Sequence, residues 1–179
     1  MQADGSSMPT AVVVMGVSGS GKTTVAVQLA ERLGWEFAEG DDFHPRANVD
    51  KMAAGHPLDD DDRWPWLRTI GGWIDQREAT GRSVVVTCSA LKRSYRDLLR
   101  EGNPSVWFAH VDVPREVLAA RLAARRGHFM PPSLLDSQLA TLEPLAEDEP
   151  GDVIAGDGPL DETVAAVLRD LREERQLQD

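Results

Sequence analysis

Apolar and polar positions along this chain change over in blocks rather than residue by residue. Residues 11–15, Ala-Val-Val-Val-Met, form a continuous apolar run rich in β-branched side chains, the pattern of a strand covered on both faces. Residues 23–33 follow with helical spacing: Val25, Leu29 and Leu33 fall at i, i+4 and i+8, and Gly34 stops the helix. Further strands are predicted at 35–38, 83–87, 106–111 and, more weakly, 152–155, with helices at 45–54, 60–79, 92–100, 114–125 and 160–177. Pro65 falls within the first turns of the 60–79 helix, where a missing N–H costs little. Strands alternating with helices predict an α/β domain, a five-stranded parallel sheet flanked by helices on both faces. Residues 126–150 break the rhythm, with Gly127, Pro131, Pro132, Pro144 and Pro150 around a short helical stretch at 133–142. An excursion of that length reads as a lid or binding loop.

Composition narrows this without changing it. The 179 residues, 41% of them apolar, suit a single globular domain. A formal net charge of −11 disfavours nucleic acid and anionic membranes as partners, so any anion site must be made by local cations. Cys88 is the only cysteine, which excludes an intramolecular disulfide. No run is long enough to span a bilayer, and the polar start of the chain lacks the marks of a signal peptide. A soluble cytoplasmic protein is expected, with residues 1–8 as a loose tail.

The sharpest chemistry lies between the first strand and the first helix. Gly16-Val17-Ser18-Gly19-Ser20-Gly21-Lys22-Thr23 matches G-x-x-x-x-G-K-[ST] in full, in the strand–loop–helix context the motif requires. Its glycines let successive N–H groups point at phosphate oxygens, and the following helix adds positive potential. Lys22 is expected to reach the β- and γ-phosphates of ATP, and the Thr23 hydroxyl to face Mg²⁺. No N-K-x-D stretch reads guanine, and no apolar strand ends in Asp–Glu as in motor ATPases. A small-molecule kinase fits better than a switch or a motor.

Such a kinase needs an acceptor pocket, a group to take or orient the hydroxyl proton, and cations over the moving phosphoryl. Glu39-Gly40-Asp41-Asp42-Phe43-His44-Pro45 follows the second strand, beside the phosphate loop. Asp41 is favoured over Asp42 as the carboxylate, and His44 is a candidate for acceptor hydroxyls. Arg121 and Arg125 share a helix face at the base of the lid, placed to stack on adenine and clamp phosphate. Arg63, Lys51, Lys92 and Arg96 are candidate cations for an acidic acceptor. The run Asp59–Asp62 reads as a helix N-terminus, not a metal site. Trp64, Trp66 and Trp73 read as helix packing.

Beyond the phosphate loop, an ordered set of motifs carries a resemblance. The set runs through Gly40-Asp-Asp-Phe-His-Pro45, Asn48-x-x-Lys51-Met52, Gly55-x-Pro57-Leu58 and Asp60-x-Asp62-Arg63-x-Pro65-Trp66-Leu67. It continues with Cys88-Ser-Ala-Leu-Lys92, Tyr95-Arg96-Asp97 and Gly127-His-Phe129. From about residue 12 to about 171 the chain resembles the gluconokinases. The resemblance implies a nucleoside-monophosphate-kinase-like P-loop fold with a lid, and the reaction ATP + D-gluconate → ADP + 6-phospho-D-gluconate in a cytoplasmic homodimer. It implies that Gly16 through Thr23, with Thr24, Arg121 and Arg125, hold the nucleotide, and that Lys22, Asp41 and Arg125 are catalytic. Asp41, His44, Lys51, Arg63, Ser89, Lys92 and His128 would line the acceptor side, and Asp157-x-Pro159-Leu160 would lie near adenine. A shikimate or nucleotide kinase of the same fold and a non-catalytic nucleotide-binding regulator are the alternatives.

Overall fold

A computed structural model describes residues 8–124 and 132–175. The strands are β1 (Ala11–Met15), β2 (Glu36–Ala38), β3 (Val84–Thr87), β4 (Val106–Asp112) and β5 (Gly151–Ala155). The helices are α1 (Lys22–Leu33), α2 (Arg46–Ala53), α3 (Asp60–Ala79), α4 (Arg93–Arg100), α5 (Arg115–Ala124), α6 (Pro132–Thr141) and α7 (Leu160–Arg175). Among the described residues the predicted boundaries hold to within one or two residues, the usual fraying of element ends, and the predicted helix ends at 125 and 177 lie outside them.

All strands run parallel in the order β2-β3-β1-β4-β5. β1 is central: Val13 stands beside Val86 on one side and Phe108 on the other. With both faces covered, Val12, Val13 and Val14 are fully buried, which is why this strand is apolar throughout. The phosphate loop leaves the carboxyl end of β1, and the residues after β2 and β3 emerge at the same edge, the place where open α/β sheets bind ligands.

Two local features depart from expectation. A short 3₁₀ turn, Gly40–Phe43, follows β2. It presses against the end of β3 so closely that a Cβ on Gly40 would lie 1.8 Å from the Thr87 carbonyl oxygen. Pro65 is the sixth residue of α3, beyond the N–H groups that are free in any case, so it costs the Asp61 carbonyl its helical donor. Asp61 is exposed, so water can take that place. The acidic start of α3 forms a capping box: Asp59 accepts from the Asp62 N–H at 2.8 Å, and Asp62 accepts from the Asp59 N–H at 3.0 Å.

Candidate active site

Gly19 and Gly21 hold the phosphate loop in left-handed backbone, at φ 84 and 88, where a side chain would be strained. Gly21 caps α1 with no side-chain hydrogen bond, so the first N–H groups of the helix stay available to an anion. Lys22 Nζ donates to the carbonyls of Gly16 at 2.9 Å and Val17 at 3.0 Å, folded back over its own loop. The Thr23 hydroxyl donates to Glu39 at 2.6 Å, and the other Glu39 oxygen accepts from Thr87 at 2.6 Å. The Thr87 hydroxyl in turn accepts from the Gly40 N–H at 3.0 Å. Glu39 was not singled out from sequence. β3 ends without an acid, and the carboxylate facing the loop threonine comes instead from its neighbour β2, two residues before Asp41. A hydroxyl beside a carboxylate is a hard-oxygen donor pair suited to Mg²⁺.

A cavity of about 450 Å³ opens next to Lys22. It brings together Asp41, His44, Arg63 and Ser89, four of the expected acceptor-side residues from three separate stretches of chain. The Asp41 side chain is 76% open to the cleft. Enclosure by the surrounding protein nevertheless raises its pKa; Lys22 opposes this, and Glu39 and Asp42 add to it. The His44 ring is only 3% exposed and stacks on Trp66 with centroids 4.0 Å apart. Burial, and then the charge of Arg63, lower its pKa to about 4, so it is neutral at physiological pH. Trp66 therefore does more than pack α3. It lines the cavity, supports the His44 ring, and donates from Nε1 to the Gly40 carbonyl at 2.8 Å. Arg63 donates to the Tyr95 hydroxyl at 2.8 Å, and Tyr95 donates to Asp60.

The remaining predicted cations are placed differently. Lys51 and Lys92 are not among the cavity-lining residues, because the acidic start of α3 draws them away: Lys51 pairs with Asp62 at 2.6 Å and Lys92 with Asp60 at 3.0 Å. Arg96 is a structural residue, not an acceptor contact. Its side chain is fully buried and grips Glu149 through Nε at 2.7 Å and Nη2 at 3.1 Å, while Nη1 donates to the Ala90 and Leu91 carbonyls. Arg121 donates to the carbonyls of Gly19, Ser20 and Gly156. It borders a second depression, of about 420 Å³, on the other side of the phosphate loop with Thr24, Gly158 and Leu160. Arg125 and His128 lie outside the described residues.

Sequence reasoning also missed Gln138. From α6 it accepts from the Ser18 N–H at 2.7 Å and donates to the Ser18 hydroxyl at 3.2 Å, and it lines the acceptor cavity. The contact joins residues 120 apart, so only the folding-back of α6 onto the loop reveals it. Among the described residues, no helix is long and apolar enough to cross a membrane, and no cluster of three or more His, Cys, Asp or Glu side chains is placed to hold a metal.

A family model described as an AAA domain matches residues 12–145. The gluconokinase of Gluconobacter oxydans (strain 621H) is 51% identical over 166 residues, 93% of each chain. Among solved structures, a gluconokinase from Sinorhizobium meliloti 1021 is 48% identical with a TM-score of 0.85, covering 94% of this chain and 95% of that one. A sugar kinase from Janibacter sp. HTCC2649 is 55% identical with a TM-score of 0.86, covering 90% and 93%.

Proposed function

Since this chain belongs to the gluconokinase family, we propose that it transfers the γ-phosphoryl group of ATP to the 6-hydroxyl of D-gluconate, giving 6-phospho-D-gluconate and ADP. The observation that carries this reading is the meeting of Asp41, His44, Arg63 and Ser89 in one cavity at the lip of the phosphate loop. It joins a proton acceptor, neutral hydrogen-bonding groups and a cation for the substrate carboxylate to a triphosphate site.

Gluconate lies in that cavity with its carboxylate toward Arg63 and its 6-hydroxyl at Asp41. As the hydroxyl oxygen bonds to the γ-phosphorus, its proton passes to Asp41, and ADP leaves with the electrons of the broken P–O bond. A carboxylate whose pKa is raised is the better base for this step. Lys22 lets go of the Gly16 and Val17 carbonyls to offset the charge on the β- and γ-phosphates. The depression beside Arg121 takes the adenine, with the guanidinium across its face. Mg²⁺ would be held by the Thr23 hydroxyl and the Glu39 carboxylate, where it neutralises phosphate charge. Residues 126–150 act as the lid, and Gln138 ties α6 to the phosphate loop from within that segment. The active form is a cytoplasmic homodimer on the family resemblance, and light scattering of the purified protein reads its mass.

A coupled ADP-release assay over sugar acids, sugar alcohols, shikimate and nucleoside monophosphates tests the substrate. Gluconate should give the highest kcat/KM, with 6-phosphogluconate identified as product. Much faster turnover of shikimate or a monophosphate would overturn the reading.

A further inference from the structure

Two ring nitrogens make His44 either a donor or an acceptor toward the cavity, and the atoms packed behind it decide which. Asn48, on α2 and only 4% exposed, places its side-chain nitrogen 2.8 Å from the Asp62 backbone carbonyl. A carbonyl can only accept, so the atom facing it must be the amide nitrogen, and the Asn48 amide cannot be turned over without loss of this bond. The same nitrogen lies 3.2 Å from His44 Nδ1. One of its hydrogens goes to Asp62, and the other is directed at Nδ1. Nδ1 must then carry a lone pair, and in a neutral imidazole the proton sits on Nε2.

Nε2 is the nitrogen on the Asp41 side, 3.8 Å from Asp41 Oδ1. That separation is too long for a direct hydrogen bond, and it leaves a hydroxyl oxygen room to meet both groups. Stacking on Trp66 fixes the ring plane, and a half-turn of the ring back into that plane would put Cδ2 in place of Nδ1 opposite the Asn48 amide and lose that hydrogen bond.

We propose that Asn48 is a positioning residue that locks His44 as the Nε2–H tautomer, so that the ring presents a hydrogen-bond donor, not a proton acceptor, to the substrate cavity beside Asp41. An acceptor hydroxyl bound there receives a hydrogen bond on its oxygen from His44 and gives its own proton to Asp41. His44 is excluded as the base, because its cavity-facing nitrogen is already protonated. The role of His44 toward the hydroxyl rests on the gluconate reading above; its tautomer does not.

The test is a long-range ¹H–¹⁵N correlation spectrum of histidine-labelled protein without substrate, with the His44 ring assigned by the loss of its signals in His44→Gln. The wild-type protein should show a protonated Nε2 and a bare Nδ1 from pH 6 to 8. A protonated Nδ1 would overturn the proposal outright. Asn48→Ala should give averaged tautomer signals and raise KM for gluconate about three- to tenfold, the loss of one hydrogen bond's orientation, with KM for ATP unchanged. Asn48→Asp, of the same shape, should move the proton to Nδ1 by offering it a carboxylate, and this variant reads the same dependence if the alanine variant does not fold. An unchanged nitrogen pattern in either variant shows that Asn48 does not set the tautomer. An inactive wild type toward gluconate with the expected spectrum would remove the substrate and leave the tautomer standing.

Discussion

A carboxylate in the position of Asp41 is pulled two ways: enclosure raises its pKa, and Lys22 works against that rise. With the pKa raised, kcat/KM for gluconate should fall on the acid side as Asp41 becomes protonated, with an inflection above the ordinary carboxylate value. Asp41→Asn should lower kcat by a factor of roughly 10² to 10⁴ and abolish that inflection. The stability effect has the opposite sign. An acid with a raised folded-state pKa stabilises the fold below its unfolded pKa, and that contribution is lost as pH rises through the folded value. At pH 7 Asp41→Asn should therefore unfold at a slightly higher temperature than wild type, a gain kept small by solvent screening of this largely exposed side chain and read by parallel melting and rate measurements. Lys22→Ala should lower kcat by about a hundredfold or more with its circular dichroism unchanged, since the lysine's charge acts on the transferring phosphoryl group.

At the scale of elements, the site depends on how closely strand ends approach one another. Gly40 lets the turn after β2 touch the end of β3, and this contact places Glu39 against Thr23 and Trp66 against the turn. Gly40→Ala puts a methyl group into the Thr87 carbonyl, and backbone cannot give way as a flexible side chain does. It should cost about 3 kcal/mol in urea unfolding and weaken gluconate binding at the same time. A different element contact is pH-sensitive. Asp170 on α7 shares a hydrogen bond with Asp152 on β5, and burial first, then Asp152, push its pKa up to about 6. By the same sign rule, the β5–α7 contact is strongest when Asp170 is protonated and weakens as pH rises through about 6. Asp152→Asn should raise Tm at pH 7.5 and flatten the dependence of Tm on pH between 5 and 7.

For the molecule as a whole, one buried ion pair ties several parts of the site together. Arg96 and Glu149 are both fully buried. Between them they join α4, the segment that follows α6, and the turn after β3, where Ala90 takes φ 45, the one positive φ at a non-glycine among the described residues. Ser89 in that turn hands its carbonyl to the Gly16 N–H at 3.3 Å and its side of the chain to the acceptor cavity. Arg96→Met leaves Glu149 charged and unpaired in the interior and should cost about 3–5 kcal/mol, and the double variant with Glu149→Leu should recover most of it. Activity should not recover with stability, because the carbonyls of Ala90 and Leu91 still lack their donor.

The parallel α/β order and the phosphate loop were legible in the chain, and so was the placing of Lys22, Thr23 and Asp41 at one sheet edge, because each rests on local signals: a continuous β-branched run, a fixed spacing of glycines, a carboxylate just past a strand end. The family resemblance extended this to His44, Arg63 and Ser89, which the structure gathers in one cavity. What sequence could not supply was the choice among side chains of like charge. Lys51, Lys92 and Arg96 look alike along the chain, yet α3's acidic start takes the first two and Glu149 takes the third. Glu39, Gln138 and Asn48 gain their roles only from partners brought beside them by the fold, across separations of up to 120 residues. Charge and spacing follow local rules that the sequence displays. Which donor meets which acceptor is fixed by distance in three dimensions, and only the packed structure decides that.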